Sequence, residues 1–132
     1  MFKPIRPETL MQWAEKKLGP SKCKRIMYIN RKKVDWLGEW DWEGLITINL
    51  HRVKSYSTLY RTVAHEWTHA QQKYRDYKYW HRRRDYKGNP LEKEATFVEN
   101  NLHKSKSLII KAKKIVTRRY IQKIENEGFI II

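Results

Sequence analysis

The spacing of the apolar residues changes near residue 57, and no other feature constrains the fold of this chain as strongly. From Leu45 to Leu50 apolar and polar residues alternate, which is the period of a strand with one buried face. From Ser57 to about Tyr74 the apolar residues recur every three or four positions, which is the period of a helix. We therefore expect a strand and then an amphipathic helix that packs on the sheet.

The elements before this strand are predicted from the same periods and from helix-end signals. A first helix is expected from Pro7 to Leu18, because proline suits the first turn and Gly19 and Pro20 end it. Alternating patterns predict two more strands, from Lys24 to Asn30 and from Val34 to Trp42. The sheet is therefore expected to have about three strands.

The elements after residue 74 are less regular at first. Tyr74 to Gly88 is predicted to be a basic, aromatic connection. Asn89 then starts a helix to about His103, with Glu92 at the position where a capping box places an acid. A last, basic helix is expected over about 105–126.

The length of 132 residues fits one domain, 1–132, with one modest core. We predict an α+β fold in which a small, twisted, mainly antiparallel sheet packs on the helix after residue 57. The single cysteine, Cys23, excludes a disulfide framework and a thiolate-rich zinc site. No apolar run approaches the roughly 20 residues of a membrane span, and the first residues lack the apolar region of a signal peptide. We therefore expect a cytoplasmic protein without a membrane span.

The charge balance favours a polyanionic partner. Lys and Arg number 29 against 14 Asp and Glu, a formal net charge of +15, and no acid lies between Lys104 and Lys123. Nucleic acid, an acidic protein or an anionic membrane surface would suit such a chain, and a merely solvated basic surface is the alternative. The candidate nucleic-acid contacts are Arg82, Arg83, Arg84, Lys113, Lys114, Arg118 and Arg119.

The predicted helix after residue 57 carries a metal-binding motif, His65-Glu66-Trp67-Thr68-His69. Residues four apart lie on one face of a helix, so the two imidazoles can bind one zinc ion. Glu66 would lie beside the remaining ligand position, where a carboxylate can take a proton from water. A helix with two surface histidines and an incidental acid is the alternative interpretation.

A catalytic zinc ion commonly has three protein ligands, so a third must come from elsewhere in the chain. The candidates are Glu94, Glu92, Asp85, His81 and His103. We favour Glu94, because it lies on a regular helix before the small residue Ala95, whereas Glu92 already suits a capping box. His81 could instead hydrogen-bond a substrate carbonyl.

Two stretches of the sequence resemble the gluzincin metallopeptidases, and most of all their minimal minigluzincin-like members from bacteria and phages. These stretches run from His65 to Gln72 (HEWTHAQQ) and from Asn89 to Ala95 (NPLEKEA). In that clan a glutamate on a downstream helix, commonly before an alanine, completes the site. The resemblance implies a zinc metallopeptidase with one Zn²⁺, held by His65, His69 and Glu94, and Glu66 as general base.

The resemblance also carries expectations about the substrate. It implies that an edge strand runs beside the cleft and binds an extended peptide, and Leu45 to Leu50 would be that strand. Gluzincins often use a Tyr or His to stabilise the oxyanion, and Tyr79, His81 and Tyr86 could do so here.

Three classes of function remain open at the level of sequence. The first is an active zinc peptidase. The second is a nucleic-acid-associated protein with the same fold, either a protease that acts on DNA-bound proteins or an inactive binding module. The third is an interaction protein in which zinc only stabilises the fold. The intact Glu66 argues against the third class, since a structural site needs no base and usually has four protein ligands.

Overall fold

A computed structural model describes residues 2–81 and 89–126 of this chain, and after residue 114 it describes only two side chains, those of Arg118 and Gln122. This part of the chain contains five helices and three strands. In chain order they are α1 (Pro7–Leu18), β1 (Arg25–Ile29), β2 (Gly38–Trp40), β3 (Leu45–Asn49), α2 (Tyr56–Gln71), α3 (Tyr74–His81), α4 (Pro90–Glu99) and α5 (Lys106–Asn126). The predicted α+β class, with a small sheet and flanking helices, is confirmed.

The sheet is mixed rather than mainly antiparallel. Its strand order is β1-β3-β2, with β1 parallel and β2 antiparallel to β3. β3 is therefore the central strand, and the expectation that Leu45 to Leu50 forms the edge beside the cleft is wrong. The strand β2 forms that edge, and it is shorter than predicted.

The segment from Tyr74 to His81 forms a helix where we predicted an irregular connection. Its sequence is rich in charges and aromatics, and the helix is fixed by tertiary contacts. Trp80 is buried in a small cluster with Leu91, and Tyr77 stacks on Trp42 at 4.4 Å between ring centroids. These partners are distant in sequence, so the local pattern gave no signal.

The core lies between the sheet and α2. The buried face of α2 includes Leu59, Val63 and Trp67, and it packs with the fully buried Ile46 and Ile48 of β3. Each such side chain contributes roughly 1.5–3 kcal/mol when removed from water. The amphipathic period after residue 57 therefore buries α2 on the sheet as predicted, and it fixes which face of α2 remains for function.

The helix α1 closes the other end of this core. Leu10, Ala14 and Leu18 are buried, and the indole Nε1 of Trp67 donates a hydrogen bond of 2.8 Å to the carbonyl of Gly19. None of the helices in the described residues is both long enough and apolar enough to cross a membrane.

A fully buried asparagine, Asn49, holds the loop between β1 and β2. Its Nδ2 donates to the carbonyls of Arg31, Val34 and Trp36 at 3.0, 3.2 and 3.4 Å. Its Oδ1 accepts from the backbone N–H groups of Arg31 and His51 at 3.1 and 3.2 Å. Asn49 thus fixes the segment that leads into β2.

We predict that Asn49→Ala lowers the free energy of unfolding by at least about 2 kcal/mol, because it leaves buried N–H and C=O groups without partners. Urea denaturation measures the change. The exposed neighbour Asn30 provides the control, and Asn30→Ala should change stability by no more than about 0.5 kcal/mol. Equal effects of the two substitutions would contradict the role of Asn49.

Candidate metal centre

The two histidines of the motif lie one turn apart on α2, as predicted. Their ring centroids are 4.9 Å apart, and both side chains are largely buried. They point towards α4, which packs across the same face of α2. The helical spacing alone therefore brings two imidazole nitrogens to one place.

Glu92 supplies the carboxylate that faces these nitrogens. One of its oxygens lies 2.5 Å from Nε2 of His69, and the other lies 3.4 Å from Nε2 of His65. The ligand atoms of the three residues all lie within 4.8 Å of one another. This cluster could hold a metal ion, and its third member is Glu92, the alternative that we weighed against Glu94.

The helix geometry explains why only one of the two glutamates can face the histidines. Side chains two residues apart on a helix are rotated by about 200° around its axis, so they point to nearly opposite sides. Glu94 accordingly accepts a hydrogen bond of 3.2 Å from Nε2 of Gln72. The cap of α4 is made by the side chain of Asn89, which accepts from the N–H of Leu91 at 2.9 Å, so Glu92 can turn towards α2.

The other proposed third ligands are not in the cluster. Among the described residues the cluster consists of His65, His69 and Glu92 alone. His81 lies on the wall of the adjoining cleft, and His103 is an exposed residue beside a different concavity. Asp85 lies outside the described residues.

The cluster fits the requirements of zinc. Ligands about 2.0–2.1 Å from a tetrahedral zinc ion are about 3.3 Å apart, close to the 3.4 Å between Glu92 and His65. The 2.5 Å between Glu92 and His69 is the length of a hydrogen bond, so the exposed carboxylate of Glu92 would move away from His69 to admit the ion. Two imidazole nitrogens and one carboxylate oxygen form a ligand set typical of catalytic zinc sites. The Glu92 side chain is 56% exposed, so one side of the cluster opens to solvent.

Each histidine is oriented by a second hydrogen bond on its other ring nitrogen. Nδ1 of His65 lies 2.8 Å from Oε1 of Glu99, and Nδ1 of His69 lies 2.7 Å from Oε1 of Gln72. Each partner atom is an oxygen that accepts, so Nδ1 of each histidine carries the donated proton. The Nε2 atom of each histidine then faces Glu92. Such outer contacts fix the tautomer and the orientation of metal-binding histidines.

Sequence reasoning missed Glu99 and Gln72, although a signal for both was present. Gln72 follows His69 by three positions, which is a neighbouring position on a helix face. Glu99 follows Glu92 by seven positions, which is two turns along α4 on the same face. The position of Gln72 follows from helical spacing to His69. The position of Glu99 follows in the same way once Glu92 is identified as the residue that faces the histidines.

Gln72 also joins the two helices that form the cluster. It is buried, and its Nε2 donates to the carbonyl of Leu91 at 3.0 Å as well as to Glu94. The backbone of Leu91 directly precedes Glu92. Gln72 therefore orients the ring of His69 and positions the backbone that carries the carboxylate of Glu92.

The carboxylates around the cluster control the protonation of the two imidazoles. Burial alone would lower the pKa of His65, but the hydrogen bond to Glu92 and the nearby charges raise it to about 9. The pKa of His69 is raised in the same way against the effect of burial. Hydrogen bonds to His65 and His69 hold the pKa of Glu92 well below its usual range.

Glu66 is almost completely buried beside this cluster. Burial raises its pKa, while the charges of His69 and His65 act in the opposite direction. Gly38 of β2 lets the strand approach it closely, because a Cβ there would lie 2.7 Å from Thr62 Cγ2 and 3.2 Å from Glu66 Cγ. The side chain of Glu66 is therefore held between α2 and the edge strand.

Two concavities meet at Gly38 and Glu66. One, of about 470 Å³, is lined by His69 and Glu92, and the other, of about 290 Å³, is lined by His65. Together they form a cleft that follows the edge strand β2. The cleft therefore extends to both sides of the general-base candidate.

The backbone of β2 offers hydrogen-bonding groups to this cleft. The backbone N–H of Asn49 donates to the carbonyl of Leu37, and the backbone N–H of Asp41 donates to the carbonyl of Leu45. The odd-numbered residues of this segment therefore form the hydrogen bonds to β3. In an antiparallel ladder the residues between them point their N–H and C=O groups the other way. Gly38 and Trp40 thus direct these groups to the open edge of the sheet.

Aromatic rings form one wall of the larger concavity. Trp42 stacks on Tyr77, and Tyr77 lies 5.2 Å from His81 between ring centroids. Trp42 has a positive φ of 65°, and this turn is held by Oδ1 of Asp41, which accepts three backbone N–H groups at 2.7–2.9 Å. The turn therefore places an indole on the cleft wall.

The structure separates the residues that we proposed as oxyanion contacts. His81 lies on the cleft wall, whereas Tyr79 packs against Trp80 away from it. Tyr86 lies outside the described residues. Tyr77 lines the cleft and was missed, because its position depends on the unpredicted helix α3.

The proposed nucleic-acid contacts do not line the cleft in the part of the chain that the structure describes. Lys114 and Arg118 are exposed on α5, and Lys113 is half-buried there. Arg82, Arg83 and Arg84, and also the side chain of Arg119, lie outside the described residues.

No known protein family, curated protein or solved structure matches this chain. The gluzincin resemblance therefore stays a prediction carried by the two sequence stretches.

We predict that Glu92→Ala weakens zinc binding at least about 100-fold, because it removes the carboxylate that faces both imidazoles. Glu94→Ala is the matched control, and it should weaken binding less than about tenfold, since Gln72 keeps its bond to the carbonyl of Leu91. Competition against a chromophoric chelator measures both affinities. Stronger loss in Glu94→Ala than in Glu92→Ala would restore Glu94 as the third ligand.

We also predict that the stability of zinc-free protein falls as the pH rises from about 6.5 through 9. The pKa of His65 is about 9 in the folded protein and near 6.5 in the unfolded chain. The charged imidazole therefore stabilises the fold fully below about pH 6.5, and this contribution is lost as the pH rises through about 9. Urea denaturation with a chelator at several pH values measures the trend.

A variant and a ligand test the cause of this pH dependence. Glu92→Gln should flatten it, because the charged partner of both imidazoles is removed. Saturating zinc should abolish it, since the metal binds the neutral imidazoles in place of protons. An unchanged slope in Glu92→Gln would show that other groups cause the trend.

Proposed function

We propose that this protein is a zinc-dependent metallopeptidase in which His65, His69 and Glu92 hold the metal and Glu66 is the general base. The observation that carries the proposal is the convergence of two oriented imidazoles and a carboxylate at a cleft, beside a buried carboxylate. One zinc ion per chain is expected.

The chain's own residues would perform the proton transfers. When bound, zinc would polarise the substrate carbonyl and lower the pKa of water to near 7. Glu66 would accept a proton from the attacking water and then deliver it to the leaving amine. Its burial supports this double role, because a raised pKa brings a carboxylate closer to the working pH.

The edge strand supports a peptide as the substrate. The backbone groups of Gly38 and Trp40 can pair with an extended chain, which would lie along the cleft as an added strand. The two concavities on either side of Glu66 would then receive residues on either side of the scissile bond. The role we gave to Leu45–Leu50 thus passes to β2.

Groups on the cleft wall could stabilise the oxyanion. Tyr77 and His81 both line the larger concavity with Glu66 and His69. Each can donate a hydrogen bond from its side chain, which is the contribution required at a developing negative charge. Tyr77 joins His81 as a candidate for this role.

A purely structural metal site is less well supported. Structural zinc sites usually have four protein ligands and no open position. Here Glu92 is more than half exposed, and the cleft continues past the cluster on the side of Glu66. These features suit a site that admits water and substrate.

We predict that Glu66→Gln lowers the rate of peptide-bond hydrolysis about 100-fold or more while zinc content stays near one per chain. Gln keeps the shape of the side chain but cannot accept the proton. Cleavage of fluorescein-labelled casein by the zinc-loaded protein measures the rate, and elemental mass spectrometry measures the metal. The exposed Glu15 on α1 provides the control, since Glu15→Gln should leave both quantities unchanged.

Two results would contradict the proposal. One is zinc-loaded wild-type protein that cleaves neither casein nor a library of quenched peptides. The other is cleavage that persists in Glu66→Gln, which would point to a contaminating protease. Loss of zinc in Glu66→Gln would instead call for repeating the assay at saturating zinc.

A further inference from the structure

A groove lined by lysines lies between the turn after α1 and the helix α5. Lys22, Lys106, Lys113 and Lys114 line it, and its volume is about 520 Å³. A second concavity shares Ile110 and Lys114 with it and adds Lys111 and Arg118. We call these two concavities together the lysine groove.

The charge of the lysine groove is opposite to that of the cleft. None of the described residues that line the groove is acidic, and six are Lys or Arg. The concavity beside His69 is lined by Glu39, Asp41, Glu66 and Glu92, with no Lys or Arg among the described lining residues. The net charge of +15 is therefore not spread evenly, and the groove is a site of concentrated positive charge.

Three of the exposed cations follow a slanting row along α5. Lys106, Lys114 and Arg118 are separated by multiples of four residues, so they lie in a row on the helix. At 1.5 Å per residue the row extends about 18 Å along the axis. A row of this length can contact several phosphates of a nucleic-acid backbone, which carries one charge per about 1.7 Å of duplex.

The walls of the groove are fixed by hydrogen bonds. Lys113 Nζ donates to Oε1 of Gln71 at 2.9 Å, and Nε2 of Gln71 donates to the carbonyl of Leu18 at 2.8 Å. Lys17 Nζ donates to the carbonyl of Lys104 at 2.7 Å, which ties α1 to the start of α5. The exposed cations are thus presented by a connected surface and not by a loose segment.

We infer that the lysine groove binds the phosphate backbone of nucleic acid without reading its sequence. Lysine and arginine side chains neutralise phosphates and release counterions, which gives affinity that does not depend on the bases. The groove shares no lining residue with the cleft, so this inference does not rest on the proposed peptidase activity. If both hold, the substrates are proteins bound to the same nucleic acid.

The test compares two triple variants that lower the formal charge equally. The groove variant carries Lys106→Gln, Lys114→Gln and Arg118→Gln, and the control variant carries Lys32→Gln, Lys33→Gln and Lys54→Gln. All six residues are exposed, and the three control residues line neither part of the groove. Circular dichroism melting checks that both variants fold like the wild type.

Fluorescence anisotropy with a labelled 20-base-pair duplex of arbitrary sequence, at several salt concentrations, measures binding. We expect the wild type to bind with a strong salt dependence. The groove variant should bind at least about tenfold more weakly, with a logarithmic salt slope less steep by about 2–3. The control variant should lose no more than about threefold.

Three outcomes would overturn the inference. The first is no salt-dependent binding of duplex or single-stranded DNA by the wild type. The second is an equal loss in the two variants, which would mean that net charge and not the groove determines binding. The third comes from co-sedimentation with phosphatidylserine vesicles: if the groove variant loses vesicle binding but keeps DNA binding, the groove binds a membrane surface.

Discussion

The contact between α2 and α4 is the interaction on which the candidate site depends. The helix α2 presents two imidazoles at one point, but the carboxylate that faces them and the second hydrogen bond of His65 come from another helix. The helix α4 supplies both, Glu92 in its first turn and Glu99 two turns later. The buried side chain of Gln72 fixes the distance between the helices, because it bonds His69 on one side and the carbonyl of Leu91 on the other.

The arrangement of charge around this contact is unusual for so basic a chain. Three carboxylates, those of Glu66, Glu92 and Glu99, converge on two largely buried histidines, and only Glu92 is more than half exposed. Charges of one sign at short range are unfavourable unless they are compensated. Protonated imidazoles, with raised pKa values, and Arg61, which lies 3.7 Å from Glu99, provide that compensation in the protein alone, and a divalent cation would add to it.

The sheet contributes to the site through its edge. Asn49 anchors the loop before β2, and Gly38 allows that strand to lie directly against Thr62 and Glu66. The strand that contacts Glu66 is thus also the strand whose outward backbone groups pair with no other strand among the described residues. The strand β2 has only three residues, and the fully buried side chain of Asn49 holds the segment that leads into it. Asn49 thereby positions the strand that contacts Glu66.

The sequence by itself determined α1, α2, the cap of α4 and the placement of His65, Glu66 and His69 on one helix, because local periods and helix-end residues encode these features. It also limited the candidates for a third ligand to a few residues. Only the tertiary structure showed that Glu92 faces the two imidazoles and that Glu94 contacts Gln72, because this depends on which face of α4 packs on α2. The central position of β3, the helix α3 and the lysine groove were likewise decided by contacts between residues distant in sequence, on which local patterns carry no information.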